Sequence, residues 1–302
     1  MRTFDVPWVD ESTYQMKRTP SSRKHVAASN EGEPSKELRA LLMNGLALAP
    51  AGANVVMQLS RLPIGHAVAK SRVTSGALTK HPLKRTRTTL GYILVALLGD
   101  DDERAWVRRE VNRQHQGVRS LEHDDVAYHA FDPELQLWVA ACMYRGALDA
   151  AALVYGPASS SSLDELYLHC ARFATTLQVP AARWPENRAA FDQYWQSSLT
   201  FVEVDELTRT YLRGIVSLTF LPAPLAVLLG PLHELLTAGF LPDEFRQALG
   251  LRWNEKRKRR FHLVLRVATS AHRVLPRAVR EFPMNVIWWD TQRRRRRGTS
   301  FV

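Results

Sequence analysis

Apolar residues recur at spacings of three and four along most of this chain, and almost no stretch alternates with period two for long enough to make a strand. That pattern predicts an all-α fold, and the lack of a fixed-period repeat argues against a solenoid. Caps mark several helix boundaries. Ser35 precedes KELRALLMNGLAL with Glu37 in its first turn, and Asp132-Pro133 stands as N-cap and first residue of PELQLWVAACMYRGALDAAALVY. Gly156, Pro157 and the run Ser159–Ser162 end that helix, and Ser162 with Glu165 reads as a capping box for the next. Further helices are predicted over Glu186–Leu199, Asp205–Leu218, Leu225–Leu236, Asp243–Leu249 and Asn254–Val274. Residues 1–34 are polar and rich in Ser, Lys, Glu and Pro, so they predict a flexible arm. The folded all-α domain is expected over 35–283, followed by a basic C-terminal tail over 284–302.

The formal net charge of +11 gains meaning once it is mapped. Between Arg252 and Arg297 there are 15 Lys and Arg against Glu255, Glu281 and Asp290, so the rest of the chain is close to neutral. Basicity is a C-terminal feature, and a peripheral membrane contact through it stays open because Trp288 and Trp289 precede Arg293–Arg297. No nucleic-acid partner is expected, since no reader motif accompanies the charge. Cys142 and Cys170 are expected as two buried, reduced thiols. The stretch MRTFDVPWVDESTYQMKR holds no apolar core long enough for a signal peptide. Pro222, Pro224, Gly230 and Pro231 interrupt the long uncharged run Ile215–Leu232, which predicts a packed hairpin rather than a spanning helix. The expected location is the cytoplasm, with peripheral membrane contact as the alternative.

The richest segment runs from His81 to Arg119, where HPLKRTRTTLGYILVALLG and DDERAWVRREVNRQHQGVR meet at a turn at Gly99–Asp100. Arg85, Thr89 and Tyr92 are spaced by four and three and share one helical face. Val107, Val111, His115 and Val118 set a lone imidazole in an apolar stripe. Taken singly, such a histidine is most often a hydrogen-bonded core residue, Arg85 a solvated helix start and Thr89 an ordinary helical threonine. Offered together by adjacent helices, an imidazole, a guanidinium and a hydroxyl outline a pocket, and haem is the candidate occupant. At 1.5 Å per residue, Thr89 and His115 lie roughly 15 and 22 Å from the turn, a difference a macrocycle between splayed helices spans. Tyr92 is expected as a core aromatic. His123, Asp124, Asp125 and His129 read as a surface turn rather than a metal site, because their spacing is loose.

Three blocks, HPLKRTRTTLGYILVALLGD, VRREVNRQHQGVR and YHAFDPELQLWVAA, carry a resemblance, with weaker echoes in RWPENRAAFDQYW, LLTAGFLPDEFRQALGLRW and KRKRRFHLVLRV. From about Asn44 to about Pro283 the chain resembles the rubber oxygenase (latex-clearing protein) / MpaB-type oxygenase catalytic-domain family. The resemblance implies a globin-like helical core enclosing b-type haem without a covalent thioether link. It gives His115 the position of the proximal iron ligand, and Arg85 and Thr89 those of the R-x-x-x-T pair beside the haem on the other helix. The function implied is that of a haem b-dependent oxygenase using O2 on an apolar, isoprenoid or lipid-like substrate. In that scheme Arg85 anchors a propionate or polarises the distal side, and Thr89 donates or relays a hydrogen bond. Both the imidazole–iron bond and the guanidinium–propionate pair are sound chemistry.

The chain also departs from the pattern. Where latex-cleaving members carry a glutamate sixteen residues before that arginine, Ala69 stands here, and Leu62-Pro63 stands where many members have His-Pro. A lysine that caps the distal iron in the latex-clearing enzymes is replaced by Thr88. The missing carboxylate keeps a second class open: a non-catalytic haem-binding protein, such as a carrier or a redox or gas sensor. His66 and Lys70 are candidates to stand in for it.

Overall fold

The helix predicted from Asp132-Pro133 is the axis of the molecule. In the computed structural model, which describes residues 33–71, 80–157 and 159–302, it runs for 23 residues from Pro133 to Tyr155. The Asp132 side chain accepts hydrogen bonds from the Glu134 and Leu135 amides, and Gly156 ends the helix at a φ of 79° that a side chain rarely adopts. Among the described residues every regular element is helical, apart from one isolated bridge between Arg119 and His129. The fold is all-α.

Before the axis come α1 (Lys36–Leu42), α2 (Ala51–Leu59), α3 (Leu62–Ala69) and the long pair α4 (Pro82–Leu98) and α5 (Asp101–His115). The axis itself is α6 (Pro133–Tyr155), followed by α7 (Ser160–Cys170), α8 (Arg172–Thr175) and α9 (Arg188–Leu199). Then come α10 (Glu206–Val216), α11 (Ala223–Phe240), α12 (Asp243–Leu249) and α13 (Glu255–Val274). The one-turn α14 (Arg277–Arg280) leads into α15 (Met284–Arg296).

α2, α7 and α8 pack around α6. Small residues set how closely they approach. A Cβ on Gly146 would lie 2.4 Å from Asn54 Nδ2, whose amide donates to the Cys142 carbonyl at 2.5 Å. An aromatic cluster fills the far side: Trp138 stacks on Trp195 with centroids 5.3 Å apart, and Tyr144 meets Phe191 edge-on at 4.7 Å. Burying each such ring contributes about 2–3 kcal/mol. Cys142 and Cys170 are both buried and unpaired, as expected.

Three local expectations change. KELRALLMNGLAL breaks at Met43, and Asn44 caps a separate 3-10 turn over Gly45–Leu48. Ser159 caps α7 in place of Ser162, because Glu165 is drawn away to accept a hydrogen bond from the Ser35 amide at 3.2 Å. Residues 284–302, expected as a basic tail, form α15 against α4 and end with Phe301 buried beside Trp106. The Ile215–Leu232 run is a packed hairpin as expected: α10 ends at Val216, a turn follows, and Pro222 stands at the N-cap of α11, which carries Pro224 in its first turn and Pro231 inside. Apart from Glu33 and Pro34, the arm expected over 1–34 lies outside the described residues. Two described helices, α6 and α11, are long and apolar enough to cross a membrane; α6 is mostly covered by protein, and α11 mostly is not.

α3 and α10 are joined by one polar contact. His66 Nε2 lies 2.6 Å from Asp205 Oδ2, and the same carboxylate caps α10 by accepting from the Thr208 amide at 2.8 Å. Desolvation pushes the Asp205 pKa up, but the hydrogen bonds from Thr208 and His66 outweigh it and hold the carboxyl at about 2. A folded-state value below the unfolded one means that the contribution is complete above about pH 4 and drains as the pH falls toward 2. Asp205→Ala is therefore expected to cost about 1–2 kcal/mol at neutral pH in urea melts. The gap from wild type should narrow in acid; a gap of constant size down to pH 2 contradicts the assignment.

Candidate functional site: the α4–α5 pocket

A reciprocal capping box fixes the turn between α4 and α5. Asp100 Oδ1 accepts from the Glu103 amide at 2.7 Å, while Glu103 Oε2 accepts from the Asp100 amide at 3.0 Å. α5 then ends one turn earlier than the apolar stripe suggests, so His115 is its last residue and Val118 falls beyond it. Val107 is buried against Val95 and Phe301. Beyond His115 the chain folds back on itself through Ser120 N donating to Tyr128 O at 2.8 Å and Ala130 N donating to Val118 O at 2.9 Å. That loop sets Phe131 edge-on to the His115 ring, with centroids 6.2 Å apart.

His115 is half-buried, and its Nδ1 is buried with no hydrogen-bond partner among the described residues. A helix C-terminus favours a protonated histidine by up to about 2 kcal/mol. Here desolvation wins: burial, and then the nearby Arg85 charge, push the pKa down to about 4. The imidazole is neutral at physiological pH, with a lone pair free to bind a metal.

Arg85 lies close enough to act on that ring, and Tyr211 of α10 lies close enough to act on Arg85. Burial is the main cause lowering the Arg85 pKa, with Tyr211 opposing it, and no carboxylate pairs it among the described residues. Yet the side chain is solvent-accessible. Arg85 thus has protein around it at longer range while its own surface stays open to solvent. Thr89, one turn on along α4, is likewise accessible. Tyr92 is locked in place as the expected core phenol, donating to the Phe173 carbonyl at 2.7 Å, and burial raises its pKa.

Tyr211 was not found by sequence reasoning. Its own helix shows only an ordinary amphipathic spacing, and the proximity of α10 to α4 is a tertiary fact.

The residues near Ala69 do not restore a carboxylate or a free base. His66 turns into the α3–α10 contact with Asp205, and Lys70 pairs with Asp125 at 3.5 Å. In the loop, Asp124 Oδ2 accepts from the Leu121 amide at 2.7 Å and His129 Nδ1 accepts from the Phe131 amide at 3.2 Å, so these side chains build the expected turn. A groove of about 490 Å³ lies elsewhere, between α11 and α13, and none of the predicted site residues lines it.

Haem fits the α4–α5 residues. His115 offers a neutral ring nitrogen, and Arg85 is an unpaired cation suited to a carboxylate. Among the described residues no group of three or more His, Cys, Asp or Glu gathers to hold a bare ion. A metal at His115 would have to bring most of its own donors, as porphyrin iron does.

The protein is all-helical, with the neutral His115 imidazole near an Arg85 guanidinium that has no carboxylate partner among the described residues. Residues 38–270 match the family described as ER-bound oxygenase mpaB/B'/Rubber oxygenase, catalytic domain, and the chain belongs to that family. Two curated relatives, from Mycobacterium bovis and Mycobacterium tuberculosis, are 44% identical over 255 residues, which covers 84% of this chain and 100% of each relative. Both carry the name of an uncharacterized protein. No solved structure matches the chain significantly. The family is one of oxygenase catalytic domains, which supports oxygenase activity for this chain.

In the metal-free protein, the His115 ring is expected to titrate near pH 4, well below the free imidazole value, when followed by NMR of its ring protons. Arg85→Gln should raise that midpoint by removing a like charge. A wild-type ring that titrates near the free value would contradict the buried placement.

Proposed function

We propose that the protein is a haem b-dependent oxygenase that uses O2 on an apolar, isoprenoid or lipid-like substrate. The observation that supports this most is the neutral His115 imidazole standing beside the unpaired Arg85 guanidinium. When bound, haem b supplies an iron able to activate dioxygen. His115 ligates that iron through a ring nitrogen, since its low proton affinity leaves the lone pair free at neutral pH. Arg85 would hold a propionate through its guanidinium, which has no carboxylate partner among the described residues. Thr89, one turn along α4 and likewise exposed, would offer its hydroxyl as a hydrogen-bond donor. The helices around this site then form a globin-like enclosure, and Tyr92, fixed to Phe173, is a rigid part of its wall. The site of action on this reading is cytoplasmic.

One observation favours a second reading. Ala69 occupies the place of the latex-cleaving members' glutamate, and His66 and Lys70 are committed to Asp205 and Asp125. Without a distal base, the same residues would serve a haem carrier or a redox or gas sensor.

Protein supplied with haem is expected to develop a Soret band, which His115→Ala should shift or abolish. Arg85→Ala should lose haem to an apo-globin acceptor about tenfold faster, as the loss of one charge-assisted pair predicts. An unchanged spectrum in His115→Ala would mean that another residue holds the iron. Incubation with O2 and a panel of polyprenyl and unsaturated lipids separates the readings: oxygenated product supports the oxygenase, and stable haem without product favours the carrier or sensor.

A further inference from the structure

α11 breaks the ordinary rule for a surface helix. Its first half, from Ala223 to Leu232, carries no charged residue, and Leu225, Val227, Leu228, Leu229 and Leu232 are all exposed. Leu225, Leu228, Leu229 and Leu232 are spaced by three, one and three and share one face, with Val227 outside it, while Gly230 turns inward. A surface helix normally turns its apolar stripe to the core, yet this face points away from it, with Leu228 73% exposed, and Val227 is 76% exposed. The second half behaves differently: Thr237, Ala238 and Phe240 are buried in the core.

The neighbour of this apolar stretch is cationic. Arg257 and Arg260 of α13 line the 490 Å³ groove together with Val227 and Pro231. Glu234, the one acid in α11, is neutralised by Arg257 at 2.8 Å. Arg260, Leu263 and Val267 follow at spacings of three and four on one face of α13, and all three are exposed. α13 buries only Phe261 and Leu265 along its 20 residues.

We propose that α11 and the adjoining face of α13 dock this protein onto the surface of an anionic phospholipid bilayer. The apolar residues of α11 enter the acyl boundary, and Arg260 with its basic neighbours meets the lipid phosphates. Charge selects this occupant over a second copy of the chain, because a two-fold contact would set the arginines of one copy against those of the other. Anchoring of the C-terminal half in the core excludes a crossing. Only about ten residues are free, roughly 15 Å of helix, against the roughly 30 Å of a hydrocarbon core. The helix therefore lies in the interface. This inference stands on α11 and α13 alone and does not depend on haem.

The test is co-sedimentation of the full chain with vesicles of phosphatidylcholine mixed with phosphatidylglycerol, and with vesicles of phosphatidylcholine alone. Wild type should bind the anionic vesicles, and its binding should weaken as salt rises. Val227→Asp/Leu228→Asp should bind at least about tenfold more weakly, with an unchanged melting temperature because neither side chain supports the core. Arg260→Glu should cut binding to anionic vesicles about tenfold and leave the fold intact. Wild type that ignores anionic vesicles overturns the proposal, and so does a double variant that melts like wild type and binds like it. A wild-type dimer without vesicle affinity, made monomeric by the double variant, would assign the face to a second copy and overturn it as well.

Discussion

The charge of Arg85 beside the half-buried His115 ring is the constraint on which the site depends. Arg85 is solvent-accessible, and its charge adds to burial in disfavouring a second positive charge on the ring. Arg85 and His115 settle this by dividing roles: the arginine keeps its charge, and the histidine gives up its proton. The pair is complementary to a ligand that is anionic at its edge and a Lewis acid at its centre. A porphyrin with propionates and iron has that form. A bare divalent cation does not, since Arg85 would repel it and His115 would offer it a single donor.

The C-terminal segment holds this pair in place from outside. Asp290 of α15 takes Arg87 of α4 at 3.2 Å, while Gln292 donates to Glu103 of α5 at 2.7 Å and Arg295 pairs with the same carboxylate at 3.0 Å. Past the helix, Ser300 Oγ donates to Glu110 at 2.7 Å and Phe301 packs edge-on against Trp106. These contacts cross both helices of the hairpin that carries Arg85 and His115. Much of the terminal basicity is thus internal: Arg294 and Arg295 spend their charge on Asp290, Glu103 and Asp100. Arg293 lies over the exposed Trp289 ring at 5.2 Å, so the aromatic and cationic surface expected at the C-terminus persists beside these internal pairs.

How much of this was legible in the sequence follows the range of each interaction. Caps and short turns act over three or four residues, so Asp132-Pro133 and the Gly99–Asp100 turn were read correctly, and α12 matches its predicted span. Ser159 displaced Ser162 as a cap because Glu165 found a partner 130 residues away, which no local rule contains. α5 and the loop to Phe131 likewise end the His115 stripe through tertiary folding rather than composition. In the pocket, Arg85 and Thr89 were readable as helical neighbours on one face, whereas Tyr211 and the commitment of His66 to Asp205 were not. Hydrophobic pattern alone predicted burial for the start of α11, and the fold leaves it bare; that mismatch is visible only with both in hand.

Oxygenase function and membrane docking bear on each other through the solubility of the substrate. Each methylene of an isoprenoid or acyl chain favours lipid by about 0.8 kcal/mol, so a long chain partitions into the bilayer. An enzyme consuming such a molecule must collect it there, and an apolar helix seated in the interface brings the protein to the only phase where its substrate is concentrated. A carrier that delivers haem between proteins, or a sensor of a soluble gas, has no such requirement. The uncovered face of α11 therefore weighs with the lipid-directed oxygenase, independently of any argument from the missing glutamate at Ala69.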